Sequence, residues 1–423
     1  MSPFALVDVN NFYVSCQRIF EPKLEGVPVL VLSNNDGCAI ARSAEVKALG
    51  IKMGAPWHQM QDMVRQHGIV ARSSNYALYA DMSNRVMAIL REFSPHQEIY
   101  SIDECFLGLG GIHGDLIDYG QQIRHRVLQW TGLPVCVGIG PTKTLAKLAN
   151  HLAKKRPEFA GVCDWSHIER DRQRAIMAEL PLDEVWGVGP RIAKRLQEDG
   201  ITNVAALTAC DPENIRQRYS VVLQRTVLEL RGVLAIHLAQ ETEDKQQIRC
   251  ARAFGHPVHS LEALGEAVSV YAARTAEKLR RQKSIAAGIS VFIQTNAFKP
   301  HDPQYAKHVA IALDPETDDT IQITRYALWI LKRIYRPGFS YAKAGVMLTG
   351  LQPSGTAQAH LFRNDPDLTT RTALNDTMDL INARWGRGAI RMASAGTEQD
   401  WRMRQNHLSP AWTTRWTDMP IAR

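Results

Sequence analysis

The chain has 423 residues, with 50 lysines and arginines against 43 acids and a formal net charge of +7. That length accommodates about two to four domains, and 45% hydrophobic with 22% charged residues excludes a mostly disordered chain. Seven scattered cysteines, none in C-x-x-C spacing, argue against a disulfide framework or zinc ribbon. No apolar run approaches the eighteen or so residues of a membrane span, and Met1–Asn10 has no basic signal region, so the expectation is a cytoplasmic protein without a membrane partner.

In chain order, short branched apolar runs at Phe4–Val9, Val27–Leu32 and Ile69–Arg72 predict strands. Tyr79, Met82, Val86, Ile89 and Phe93 recur at helical steps and predict an amphipathic helix from Ser74 to Phe93. Glu98–Leu109 reads as two strand segments around Ser101–Glu104, followed by a helix over Leu116–Trp130, a strand over Pro134–Ile139 and a helix opening at Pro141–Thr142. From Asp164 to Gln240 the pattern is helical, punctuated by Trp186–Pro190 and Asp211–Pro212, and polar Gln240–Gln247 reads as a linker. Beyond it, strand-like Ala287–Gln294 and Tyr341–Leu351 mix with helical Leu261–Arg281 and Thr320–Ile334, a further α+β domain. A second polar breaker after Leu351 leads to a tail with nine arginines and no lysine.

Charge is concentrated in two places. Lys245–Ala310 holds ten basic residues against four acids, and Thr142–Pro157 holds five with none. Such faces suit a polyanion, although either could be a solvated surface. Lys143, Lys147 and Lys154 share one side of the helix after Pro141, with Leu145, Leu148 and Leu152 opposite. Gly138-x-Gly140-Pro-Thr-Lys143-Thr144 lacks the Walker glycine before its lysine and is not a P-loop.

Asp8 ends an apolar strand, and Asp103–Glu104 interrupt another apolar stretch. Neighbouring strand residues face opposite ways, so Asp103 and Glu104 can share a site only at a strand end, bulge or hairpin. Clustered carboxylates repel unless a cation neutralises them, and an oxygen-only set favours magnesium. The alternative is a strand-end cap and a solvated turn.

Three segments appear in order: Asp8-Val-Asn-Asn-Phe-Tyr-Val-Ser-Cys16, Tyr100-Ser-Ile-Asp-Glu-Cys105, and Val137-Gly-Ile-Gly-Pro-Thr-Lys-Thr-Leu-Ala-Lys-Leu-Ala-Asn150. Together they resemble the Y-family translesion DNA polymerases. Ser33–Cys38 and Ser74–Asn84 are similar to the UmuC-type branch, the catalytic subunits of bacterial polymerase V.

The resemblance implies an α+β, multidomain right-hand polymerase. Residues 1–12 and 80–163 would be a ferredoxin-like palm, 13–79 small fingers, 164–240 a thumb with a helix-hairpin-helix, 245–351 an α+β little finger and 352–423 a partner-binding extension. It implies error-prone synthesis past lesions during SOS mutagenesis, with primer-template DNA and dNTPs as substrates. Two Mg2+ ions would be held by Asp8, Asp103, Glu104 and the Val9 carbonyl. Tyr13, beside Phe12, would be the steric gate against ribonucleotides, although an aromatic pair there also suits a core. Lys47 and Lys154 would meet the triphosphate, and Ala44 stands where many members have tyrosine. Gly187, Gly189, Arg191 and Lys194 would track DNA backbone through the thumb. Arg249, Arg252, Arg274, Lys278, Arg280 and Lys283 are the little-finger candidates for phosphate contact. Gln358, Leu361 and Phe362 are similar to a sliding-clamp pentapeptide, and the family's tail also meets a UmuD′-type dimer and RecA. A noncatalytic DNA-binding scaffold is the alternative, against which the retained carboxylates argue.

Overall fold

The structure, a computed structural model, describes residues 2–239, 244–355 and 368–421. It divides into two compact units, one of Met1–Ser33, Gly37–Thr242 and His407–Arg423, the other of Asn34–Asp36 and Glu243–Asn406. No helix among the described residues is long and apolar enough to cross a membrane.

In the first unit the chain runs β1 (Phe4–Val9), α1 (Phe12–Phe20), β2 (Val29–Leu32), β3 (Ala39–Arg42), α2 (Ala44–Ala48), α3 (Gln61–His67), β4 (Val70–Ser73) and α4 (Tyr76–Arg91). It continues through β5 (Gln97–Ile99), β6 (Glu104–Gly108), α5 (Leu116–Thr131), β7 (Val135–Gly140), α6 (Lys143–Lys155) and β8 (Val162–Asp164). Strands β5-β6-β1-β7-β8 form one sheet, antiparallel except for the parallel β7–β8 pair. Its first four strands have the ferredoxin-like order, with β1 central. A separate three-stranded sheet, β3-β2-β4, has its own small core around Leu30, Leu32 and Val46. Expected boundaries at 12/13 and 79/80 fall inside α1 and α4: each is one continuous helix packed into the main core through Phe12, Val14, Leu78 and Met82.

Five helices follow, α7 (Arg170–Glu179), α8 (Pro190–Glu198), α9 (Val204–Ala209), α10 (Pro212–Arg218) and α11 (Val221–Leu230). They are tied to the sheet by α6. The carboxylate of Glu229 is fully buried and accepts hydrogen bonds from Thr144 N at 2.9 Å and Thr144 Oγ1 at 3.0 Å, capping the α6 N-terminus. The same carboxylate takes the N–H groups of Ala235 and Ile236.

Residues 352–423 do not form one separate extension, because their last part folds into the first unit. Asn75, which caps α4 by accepting from Leu78 N, donates through its amide to Ser409 and Pro410. His407 and Ser73 exchange hydrogen bonds in both directions. Trp412 is buried and stacks on Phe20 with ring centroids 5.0 Å apart. Trp412→Ala is expected to destabilise this unit by about 3–5 kcal/mol, as other buried indole truncations do. Thermal unfolding at matched concentration checks this, and an unchanged transition would show the C-terminal segment to be dispensable.

The second unit has β9 (Ile248–Val258), α12 (Leu261–Arg281), β10 (Ser284–Thr295), β11 (Ala306–Thr317), α13 (Thr320–Ile334), β12 (Tyr341–Pro353) and α14 (Leu368–Trp385). Its antiparallel sheet, β11-β10-β12-β9, packs on α12 and α13 through Val291, Ile293, Val346, Ala267 and Ile323. Strands β9 and β11 are absent from the hydropathy pattern because each carries charged or polar residues along an edge, including Arg249, Arg252, Lys307 and His308.

Candidate active site

Two of the three acids meet through strand register. Asp8 near the end of β1 pairs directly with Glu104 at the start of β6, so both side chains leave the same face of the sheet. On that face Leu6 and Phe106 pack against Ala146 of α6. Asp103 lies in the bend before β6, where it accepts from Ser101 Oγ at 2.7 Å and its carbonyl receives Val9 N at 2.9 Å. The tight bend resolves the alternation problem: Asp103 precedes the strand and turns into a cleft that Asp8 also lines.

Helix α6 brings cations to this face. Lys154 Nζ is 2.5 Å from Asp8 Oδ2, Lys147 Nζ is 2.8 Å from Glu104 Oε1, and buried Lys143 pairs with Glu98. The helix can lie this close because Gly138 and Gly140 of β7 have no side chain beneath it. Asn150 fixes the depth, its amide donating to the carbonyls of Leu6 (3.2 Å) and Cys136 (2.9 Å). The glycines that mimic a phosphate loop in the sequence therefore serve helix packing.

The cleft has a volume of about 690 Å3 and gathers Asp8, Asp103, Val9, Phe12, Tyr13, Ala44, Lys47 and Lys154. Burial raises Asp8 to about 6, with Lys154 opposing the rise and Glu104 and Asp103 adding to it. Burial is also the main reason Lys47 sits below the ordinary lysine range, helped by Arg42, Lys154 and Lys155. Lys47 Nζ donates to Asn11 Oδ1 at 2.5 Å. Tyr13 stacks on buried Tyr79 at 4.3 Å between centroids and still lines the cleft, while Phe12 is buried in the core. Tyr13 thus packs against the core and lines the cleft.

Arg42 and Lys155 complete the basic wall and escape a motif-based search. Lys155 is signalled only by the basic run after Thr142. Arg42 sits at the end of a strand too short to stand out. Among the described residues, no three acid, histidine or cysteine side chains converge into a ready-made metal cage. The donor set still suits a hard divalent cation: Asp8, Asp103 and Val9 line one cleft, and Glu104 pairs with Asp8 across the sheet.

The other expected contacts are dispersed. Trp186, just before α8, donates to Tyr100 Oη at 3.0 Å, and Gly187 adopts φ 87° in the turn that leads through Gly189 into α8. Arg191 and Lys194 are exposed on α8, Lys194 facing Glu198 at 3.9 Å. The six basic residues of the second unit do not share one face. Arg249 lies on the open face of the sheet, stacked over Phe292 at 4.7 Å, whereas Arg252, three residues on, lies on the helix side. Arg274 pairs with Glu277, and Arg280 forks onto Asp379 with two 2.8 Å bonds. Lys278 points its ammonium toward the Arg249 carbonyl at 3.5 Å, and exposed Lys283 occupies a left-handed turn after α12. Gln358, Leu361 and Phe362 lie outside the described residues.

Residues 7–151 match the sequence model of the impB/mucB/samB family, residues 245–361 match that family's C-terminal domain, and residues 372–422 match a domain of unknown function, DUF4113. Protein UmuC of Salmonella typhimurium (strain LT2) is 46% identical over 98% of this chain and 99% of its own. Protein MucB of Escherichia coli is 42% identical over 99% of both chains, and DNA polymerase IV of Moorella thermoacetica 27% identical over 92% and 94%. Among solved structures, a Y-family DNA polymerase chimera of Dbh and Dpo4 superposes with a TM-score of 0.63 at 19% identity, covering 83% of this chain and 99% of its own.

Proposed function

Because the chain belongs to the impB/mucB/samB family, and is therefore a UmuC-type Y-family DNA polymerase of translesion synthesis, we propose that the carboxylate cleft is its nucleotidyl-transfer site. One observation supports this above the others: a single cleft sets Asp8 and Asp103 against Arg42, Lys47, Lys154 and Lys155, with the Tyr13 ring among them. Acids there suit a hydroxyl nucleophile and basic residues suit a triphosphate.

Asp8, Asp103, Glu104 and the Val9 carbonyl would hold two magnesium ions, which when bound activate the primer hydroxyl and neutralise the departing phosphate. Lys154 and Lys147 presently neutralise Asp8 and Glu104. In the loaded site Lys154, on the cleft wall, is free to turn toward phosphate charge. Lys47, Arg42 and Lys155, on the same cleft, would anchor the triphosphate. Tyr13 presents its ring to the sugar and is held upright by Tyr79. Tyr13→Ala is expected to raise ribonucleotide incorporation by at least tenfold with dNTP use largely kept, and unchanged sugar discrimination would reject the gate.

The five-stranded sheet would be the palm, the separate β3-β2-β4 sheet the fingers, 164–240 the thumb and 245–351 the little finger. Gly187, Gly189, Arg191, Lys194 and Arg249 would touch DNA backbone. The catalytic chain would work in the cytoplasm with a UmuD′-type dimer, RecA and the sliding clamp. Primer extension on undamaged and abasic templates tests the whole assignment. No magnesium-dependent synthesis by the wild type, with all three partners supplied, would reject it and leave a DNA-binding scaffold. Leu361→Ala with Phe362→Ala should remove stimulation by the clamp alone. If stimulation persists, the pentapeptide is not the clamp contact.

A further inference from the structure

A second cavity lies wholly within the second unit and shares no residue with the carboxylate cleft. It has a volume of about 330 Å3, at the small end of organic-ligand pockets. It is walled by β9, α12, α14 and the segments that follow α14. Six arginines and two acids line it. Arg280 is committed to Asp379, Asp318 O and Thr320 Oγ1, and Arg274 shares Glu277 with Arg281. Arg252, Arg387, Arg391 and Arg402 have no carboxylate partner among the described residues. The lining therefore has four more positive than negative side chains.

These guanidiniums are placed by built loops. Asn382 accepts from Gly388 N and Ile390 N and donates to Ile390 O, which fixes the turn that presents Arg387 and Arg391. Gly386 and Gly388 supply its positive φ angles of 100° and 84°. Buried Gln399 accepts from Arg402 Nε at 2.7 Å and donates to Ala395 O. Tyr271, only 3% exposed, is also part of the wall. Between the charges, Val270, Met378, Ile390 and Met392 supply apolar wall.

We propose that this cavity binds a small organic phosphomonoester, its phosphate gripped by Arg387, Arg391 and Arg402, and its apolar body lying against Val270 and Met378. A dianionic phosphate fits planar guanidinium forks better than a lone carboxylate neutralises four cations. The volume exceeds what inorganic phosphate fills, and the apolar wall gives the excess a use.

The test is calorimetric titration of the full-length chain with phenyl phosphate and, separately, inorganic phosphate, in EDTA so that the magnesium-dependent site stays silent. One saturable site is expected, tighter for phenyl phosphate than for phosphate. The double variant Arg387→Gln, Arg391→Gln alters exposed positions and should weaken binding at least tenfold without moving the unfolding transition. Lys47→Gln removes a cation of the polymerase cleft and should bind phenyl phosphate as wild type does, which separates this cavity from that cleft. No saturable heat, or affinity unchanged in the double arginine variant, overturns the proposal. So does a short single-stranded oligonucleotide that displaces the probe only when Arg387 and Arg391 are present, because the occupant would then be nucleic-acid backbone.

Discussion

Asp103→Asn and Glu104→Gln are each expected to cut primer extension by about 10³-fold or more, on the order of 4 kcal/mol of transition-state stabilisation. Both changes keep side-chain shape and remove charge. The amide introduced by Asp103→Asn would still offer an oxygen to Ser101 Oγ, so the bend that aims this position into the cleft survives. The amide introduced by Glu104→Gln would still lie opposite Asp8 on the sheet and beside Lys147. What disappears is half of the charge separation on which the site is built. A basic wall of Arg42, Lys47, Lys154 and Lys155 facing too few acids binds nucleotide without activating a hydroxyl. The expected signature is therefore a fall in turnover with DNA affinity and unfolding temperature close to wild type. Either variant extending primers within tenfold of the wild type would show that these acids do not carry the chemistry.

The acids are legible in the sequence because charge inside an apolar strand has no packing purpose, and Asp8 and Asp103–Glu104 both break such strands. Strands β1, β6 and β7 are legible for the same reason in reverse, being apolar and mostly buried. The lysine stripe of α6 is visible as spacing. Its division into Lys143 on Glu98, Lys147 on Glu104 and Lys154 on Asp8 depends on a sheet register that spacing does not encode. Glu229 is invisible in sequence, since one acid in a helix normally means a solvated face, yet here it is buried as the cap of another helix. The basic segment after Lys245 misleads in a different way. Its net charge is real, but a strand-to-helix fold sends Arg249 to one side of the sheet and Arg252 to the other, and ion pairs engage Arg274 and Arg280. Composition counts charges and topology decides which of them face the same way.

The packing beneath α6 yields the sharpest structural expectation, Gly138→Ala. A Cβ built at this position would lie 2.0 Å from Asn150 N and 2.3 Å from Ala146 O, both backbone atoms of the helix. No side-chain rotation relieves contacts with backbone, so the helix must lift off β7 or the strand must sink into the core. Lifting separates the Asn150 amide from the carbonyls of Leu6 and Cys136 and strains the Glu229 cap at the other end. It also withdraws Lys147 and Lys154 from Glu104 and Asp8. One added methyl thus couples stability to activity. The loss should be at least about 3 kcal/mol, the upper end of ordinary overpacking, with polymerase activity falling further than the folded fraction does. Gly140→Ala approaches Ala146 N at 2.9 Å, also helix backbone, and should cost less because the overlap is smaller than at Gly138. Chemical denaturation of the two variants beside the wild type reads the difference. Equal, small shifts for both would mean that α6 is not seated on these glycines, and the lysine placement that the site depends on would need another cause.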